Sequence, residues 1–424
     1  MRHLLVFLFV GSFVFVNAQV KFDDYFLPKT MRVDYSQSGN AHNALIFFEQ
    51  IKSEPYWGGS QKNLLDAFDY GDYRYLVYDS TSNELIFSRG YSNLFREWQD
   101  TPEAKVMRKS FYESIVFPYP KNTVRLEIQS RSKNQKFNSI FSHYINPDNY
   151  FIVEENPLNF KTKKIHDSGN PATNIDVVII PEGYTKSEMK KFRKDAERFV
   201  NFFFTVSPFK ENKGRFNYWT VEAISEESGT DIPGKDIWRK TILNTHFYTF
   251  NSERYLTTKD IRSVRDIAAC VPYDQIYILV NTEKYGGGGI YNYYNLCSSD
   301  NEQSEKVFVH EFGHAFAALA DEYDYGYDKA ENLYDMTVEP YQPNITNLVD
   351  FEKKWKNMVD SDTPIPTSTD GKYRNKVGAF EGAGYVKKKI YRPVADCKMR
   401  SNNVKEFCPV CKKVLVEMII YYSE

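Results

Sequence analysis

Two histidines and a glutamate interrupt an otherwise apolar stretch, Val307-Phe308-Val309-His310-Glu311-Phe312-Gly313-His314-Ala315-Phe316-Ala317-Ala318-Leu319-Ala320. Most of these residues tolerate or favour helix. At 3.6 residues per turn, positions four apart share one face, with side chains about 6 Å from each other. Burying two imidazoles and a carboxylate on such a helix requires partners for all three. One tetrahedral Zn²⁺ satisfies both rings through bonds of ~2.0–2.1 Å. Glu311 then falls beside the first ring, where it can take a proton from a zinc-bound water. The segment therefore predicts a helix with His310 and His314 as metal ligands and Glu311 as general base.

A catalytic zinc takes three protein ligands and keeps one position open. Asp321-Glu322 follows His314 by seven and eight residues. On a straight helix Asp321 would lie about 10 Å along the axis from His314. The helix must therefore stop near Leu319 or Ala320 and the chain turn back. Asp321 is the expected third ligand and Glu322 the runner-up. The run Asp321-Glu322-Tyr323-Asp324 with Asp328 is acidic enough to raise a Ca²⁺ site, but a solvated acidic loop is the expectation. Asp396-Cys397-Lys398-Met399-Arg400-Ser401 resembles the methionine-containing turn beneath the zinc of metzincin peptidases, which casts Met399 as an apolar floor.

Between the Val280 strand and this helix lies Tyr285-Gly286-Gly287-Gly288-Gly289-Ile290. No Lys-Ser/Thr follows, which argues against a phosphate loop. Gly286, Gly287, Gly288 and Gly289 are read either as a strand edge that lets a substrate backbone approach closely or as a simple loop. Tyr323 and Tyr391 are the tyrosines considered for stabilising an oxyanion.

The remaining chain sets the context. Met1-Arg2-His3, the apolar run Leu4 to Val16 and Val16-Asn17-Ala18 follow the plan of a secretory signal peptide, residues 1–18, cleaved near Ala18. The apolar run is shorter than the ~20 residues that cross a bilayer. The expected location is periplasmic, cell-surface or extracellular, with no membrane span. A formal net charge of -2 in 424 residues favours neither nucleic acid nor an anionic surface as partner. Residues 19–150 alternate short β-branched and aromatic runs with turn residues, among them 43–48, 73–78, 84–88 and 123–128, and predict an all-β sandwich domain. Linker-like residues at 156–159 and 168–171 precede a change of pattern. From 151 to 424 the expectation is an α+β or α/β domain with a mixed sheet and an active-site helix. Ile175–Ile180, 217–223 and 275–280 are its strands, and 189–204 is a helix behind a Thr185/Glu188 capping box. Of five cysteines, Cys397 is expected to pair with Cys408 or Cys411, with Cys270–Cys297 a weaker pairing.

Residues 176–185, 196–204, 225–229, His310 to His314 and 320–323 together resemble the immunoglobulin-A peptidase family of zinc metalloendopeptidases. The residues before about 150 are similar to the β-rich domain that precedes the peptidase in some bacterial members. The resemblance implies a metzincin-like architecture, one catalytic zinc, Glu311 as general base and internal cleavage of protein or glycoprotein substrates. The β-domain would bind substrate or a cell surface. The metzincin pattern has Gly three residues after its second His and its third ligand at six, whereas this chain has Ala317 and Ala320 there. Two alternatives stand beside the endopeptidase: a cell-surface binding protein on a peptidase-like scaffold, and a zinc exopeptidase that holds a free amine.

Overall fold

Short runs of aromatic and β-branched residues between Gly, Asn, Asp and Pro turns fold the first third of the chain into strands. The structure, a computed structural model, describes residues 19–154, 157–327, 329–369 and 371–424. The expected signal peptide 1–18, linker residue Asn156 and Asp328 lie outside them. A one-turn helix α1 (Phe22–Tyr25) leads into β1 (Phe26–Gly39) and β2 (Ala44–Glu54). There follow β3 (Tyr73–Asp79), β4 (Leu85–Tyr91), helix α2 (Leu94–Gln99), β5 (Lys109–Pro120), β6 (Val124–Arg131) and β7 (Phe137–Ile145). They form two antiparallel sheets, β2-β1-β5 and β4-β3-β6-β7. Met31, Val33 and Tyr35 of the first meet Tyr75, Val77 and Phe87 of the second in one buried core. Alternation along each strand supplies that inner face.

The second part is built around a six-stranded sheet, order β12-β13-β11-β9-β10-β8. Its elements are β8 (Thr162–His166), β9 (Ile175–Glu182), α3 (Met189–Phe203), β10 (Phe216–Val221), α4 (Ile261–Ala268), β11 (Gln275–Val280), β12 (Gly287–Ile290), β13 (Tyr294–Ser298) and α5 (Ser304–Ala317). The capping box forms, with the Thr185 backbone N–H donating to Glu188 Oε2 at 2.9 Å. Strand β9 is buried on both faces because successive residues serve opposite cores. Ile175, Val177 and Ile179 face the core shared with α3 and α5, while Val178 and Ile180 face the one shared with α4. Four parallel strands, β10-β9-β11-β13, are flanked by antiparallel β8 and β12, so the sheet is mixed. A small sheet, β14 (Asp324–Tyr327), β15 (Phe380–Ala383) and β16 (Tyr385–Arg392), and a final helix α6 (Pro409–Ser423) complete the fold.

The two parts share a core. Leu94, Phe95, Trp98 and Phe111 of the first pack in the same cluster as Ile261, Val264 and Ile267 of α4. An ion cluster crosses the same boundary. Fully buried Arg32 makes two 2.9 Å bonds to Asp34 and reaches Glu54 at 3.2 Å and Asp266 of α4 at 2.8 Å. The guanidinium is the charge that all three carboxylates share, and Lys52 adds a second cation on Asp266 at 3.0 Å. Arg32→Met is expected to lower stability by about 3–5 kcal/mol, because removing one member of a buried ion cluster leaves the others unpaired. Urea unfolding measures this, and an unchanged midpoint would show that the cluster does not tie the two parts together.

Candidate metal centre

Helix α5 supplies two of the site's three converging groups, and its end supplies the third. The expected end was Leu319 or Ala320, but α5 stops at Ala317 and Ala318 takes a left-handed conformation, φ 51°, ψ 28°. The Ala318 N–H returns to His314 O at 3.0 Å and the Leu319 N–H to Gly313 O at 3.3 Å, which closes the last turn. A left-handed residue here is ordinarily glycine. The reversal therefore falls one residue later than the metzincin spacing, and the acidic residue that returns to the helix is Asp321 rather than the residue at 320.

His310 Nε2 lies 3.1 Å from Asp321 Oδ1 and 3.1 Å from His314 Nε2, and His314 Nε2 is 3.2 Å from the same Asp321 oxygen. Each ring is fixed from behind. His310 Nδ1 donates to Lys398 O at 2.9 Å and His314 Nδ1 to Leu319 O at 2.5 Å. A carbonyl only accepts, so each neutral ring keeps its proton on Nδ1 and turns the lone pair of Nε2 inward. Three acceptors then face one point with no donor among them. A proton or a cation must sit there. Ligand atoms bonded at ~2.0–2.1 Å in a tetrahedron stand roughly 3.3 Å apart, so His310, His314 and Asp321 fit a metal ion and can hold one.

Without an ion the site charges itself. Burial opposes the imidazolium, but the Asp321 carboxylate outweighs it and pushes His314 up to about 9. Burial also opposes ionised Asp321, yet His314 and His310 hold its carboxyl well below the usual range. Glu311 is raised by burial, with both histidines pulling against the shift.

Neighbouring segments lock this arrangement. Tyr385 O–H donates to Asp321 Oδ2 at 2.7 Å, and the Gly384 N–H to Asp321 O at 2.9 Å. Asn344 clamps the turn, accepting from the Ala320 N–H at 2.7 Å and donating to Ala320 O at 2.9 Å. Beneath α5, Met399 is fully buried, and a side chain on Gly313 would come within 2.8 Å of its sulfur. The Met399 carbonyl accepts from the Glu322 N–H at 2.8 Å. Neither Tyr385 nor Asn344 stood out in the sequence, since Tyr385 opens β16, Asn344 lies 30 residues beyond His314, and neither belongs to a local motif.

Several expectations need correction. Glu322 turns away from the histidines and is fully buried beside Cys411, and with Asp321 also buried the run is not the solvated acidic loop that was expected. Tyr391 pairs with Thr346 and does not line the cleft, whereas Tyr323 does. All five cysteines are free thiols, so neither expected pairing is present. The glycine run is not a loop: Gly287–Ile290 form β12, antiparallel to β13 at the sheet edge. Its outer side is bridged at Gly287 by Tyr255, so that position is not open to a substrate strand. The glycines instead let β12 lie against α5. A Cβ on Gly287 would meet Glu311 Oε1 at 2.7 Å, and one on Gly289 would meet Glu311 O at 2.3 Å. Gly286 is crowded instead by Phe247 and Arg254, away from the cleft lining.

The three converging groups and Glu311 open onto a cleft of about 1000 Å³. Gly287, Gly288 and Gly289 line one side, and Tyr323, Tyr325 and Tyr385 another. Residues before 140 form a further wall, including Arg96, Glu97 and Lys133. Among the described residues no helix is long and apolar enough to cross a membrane.

No curated protein matches the chain. Residues 21–142 match the model described as Peptidase M64 N-terminus, and residues 163–372 and 368–419 match that of IgA Peptidase M64. The latter spans more than half of the 424 residues, and with a mixed sheet behind a β-rich N-terminal part, the chain belongs to the IgA peptidase M64 family and is a peptidase.

Proposed function

We propose that the protein is an exported zinc-dependent endopeptidase that hydrolyses protein or glycoprotein chains. The observation that carries the reading is the trio of inward-facing acceptors on His310, His314 and Asp321, with Glu311 beside them on an open cleft. Two imidazoles and one carboxylate with an open side form the donor set of a catalytic zinc. When bound, the ion supplies a Lewis acid that polarises the scissile carbonyl and acidifies water.

The chain's own groups do the rest. Glu311 accepts the proton of the attacking water and returns it to the leaving amine nitrogen. Burial raises its affinity for a proton, which suits a group that must hold one and then release it. Tyr385 keeps Asp321 oriented through its second oxygen. Tyr323 is the tyrosine proposed to stabilise the developing oxyanion, being on the cleft wall. A cleft walled by both halves suits a chain that passes through, and the β-rich part is proposed to hold substrate flanking the cut bond. The apolar run before Ala18 supports export.

Glu311→Gln is expected to keep the metal and lose about 10²–10⁴-fold in turnover. The measurement is metal content together with cleavage of an end-blocked glycoprotein panel. A folded wild type without metal, or equal cleavage by both proteins, would overturn the reading. Gly287→Ala should lower kcat while metal content stays unchanged, since its new methyl group displaces Glu311; wild-type kcat would show that the glycine is not needed there.

The metal-free protein should respond to pH in a defined direction. A raised His314 stabilises the fold fully below its unfolded value of about 6.5 and loses that contribution as pH climbs through about 9. Thermal unfolding of chelated protein should therefore show a falling midpoint across that window. His314→Ala should flatten that part of the profile, and an identical slope in the variant would contradict the assignment.

A further inference from the structure

Behind the metal centre, on the far side of the Asp321-Glu322 pair, four buried groups gather. Glu322, Cys397, Cys408 and Cys411 place one oxygen and three sulfurs within 4.8 Å of one another. Glu322, Cys397 and Cys411 are fully buried and Cys408 is 6% exposed. Cys397 Sγ and Cys411 Sγ are 3.9 Å apart, and Cys411 Sγ is 3.1 Å from Glu322 Oε1. Sulfurs sharing a tetrahedral ion at ~2.3 Å stand roughly 3.8 Å from each other.

The surroundings suit negative sulfur. The Cys408 N–H points to Cys397 Sγ at 3.2 Å and the Cys411 N–H to Cys408 Sγ at 3.4 Å. Cys408 is the N-cap of the 15-residue helix α6, whose first turn carries positive partial charge. Glu322 Oε1 accepts from Asn344 Nδ2 at 3.0 Å, while Glu322 Oε2 is buried with no hydrogen-bond partner. An orphaned carboxylate oxygen beside three buried thiols is costly as plain core packing. A cation satisfies the whole group at once.

We propose that Glu322, Cys397, Cys408 and Cys411 form a second, structural zinc site. It has no open position for substrate, because every donor is enclosed, and so it works by positioning. Glu322 adjoins Asp321, and Cys397 directly precedes Lys398, whose carbonyl orients His310. The Met399 carbonyl in turn holds the Glu322 backbone. One ion would tie the turn after α5, the segment under α5 and the start of α6 into a single frame.

This inference goes beyond the peptidase reading and can fail separately from it. The test is metal content of the full-length wild type, His310→Ala and Cys411→Ser, followed by replacement with Co²⁺. About two ions per chain are expected in the wild type and about one in each variant, as separate three- and four-ligand sites require. Thiolate-to-cobalt charge-transfer absorption should appear in wild type and His310→Ala and vanish in Cys411→Ser. Should Cys411→Ser fail to fold, the cobalt spectrum of wild type and His310→Ala decides the matter alone. A wild type with no thiolate absorption, or a disulfide among Cys397, Cys408 and Cys411 in peptide mapping, overturns the second site. Thiolate absorption in a wild type holding only one ion would leave it standing and remove the catalytic zinc instead.

Discussion

Three lone pairs aimed at one point organise the centre of this protein. His310 Nε2, His314 Nε2 and Asp321 Oδ1 stand 3.1–3.2 Å apart, a distance at which acceptors repel unless something positive lies between them. Holding them there needs supports from several places. The backbone reverses at Ala318, the carbonyls of Lys398 and Leu319 grip the far side of each ring, and Tyr385 and Asn344 steady the returning chain. The small sheet and the segment leading into α6 are thus arranged around the same few atoms.

The larger sheet sets where α5 can lie. Strands β9 and β11 are apolar on both faces, so helices cover both sides, and α5 comes to rest against the edge strand β12. That contact is close enough that only glycine fits at 287 and 289. With its backbone against Gly289 and its carboxyl against Gly287, Glu311 has little room to wander. The β-rich part meets the other face through α2 and α4, with Arg32 bridging to Asp266, so both halves behave as one support for the cleft.

How much of this could be read in advance follows the range of each interaction. The shared face of His310 and His314 depends on helical spacing alone, and it was legible at once. The need for a turn came from reach, because a straight helix would carry Asp321 about 10 Å from His314; that Glu322 faces away is a fact of the fold. The place of the turn was missed by one or two residues, because an alanine occupies a conformation that glycine usually signals. The glycines were legible as a site of close approach, and what comes close to Gly287 and Gly289 is α5. The thiols were misjudged because a Cys-x-x-Cys pair is ambiguous without its fourth neighbour, and Glu322 lies 75 residues before Cys397. The boundary between the halves was equally hidden, since Arg32 and Asp266 carry no local mark of their contact.

One feature of the cleft bears on how such a protein could diversify. Arg96 and Lys133 line its wall, yet they belong to a part of the chain that contributes nothing to the converging acceptors. Mutation there can redraw the contour met by the residues flanking a cut without disturbing the atoms around it. Part of the cleft wall and the converging acceptors are thus carried on separate stretches of sequence, so the one can vary while the other is kept.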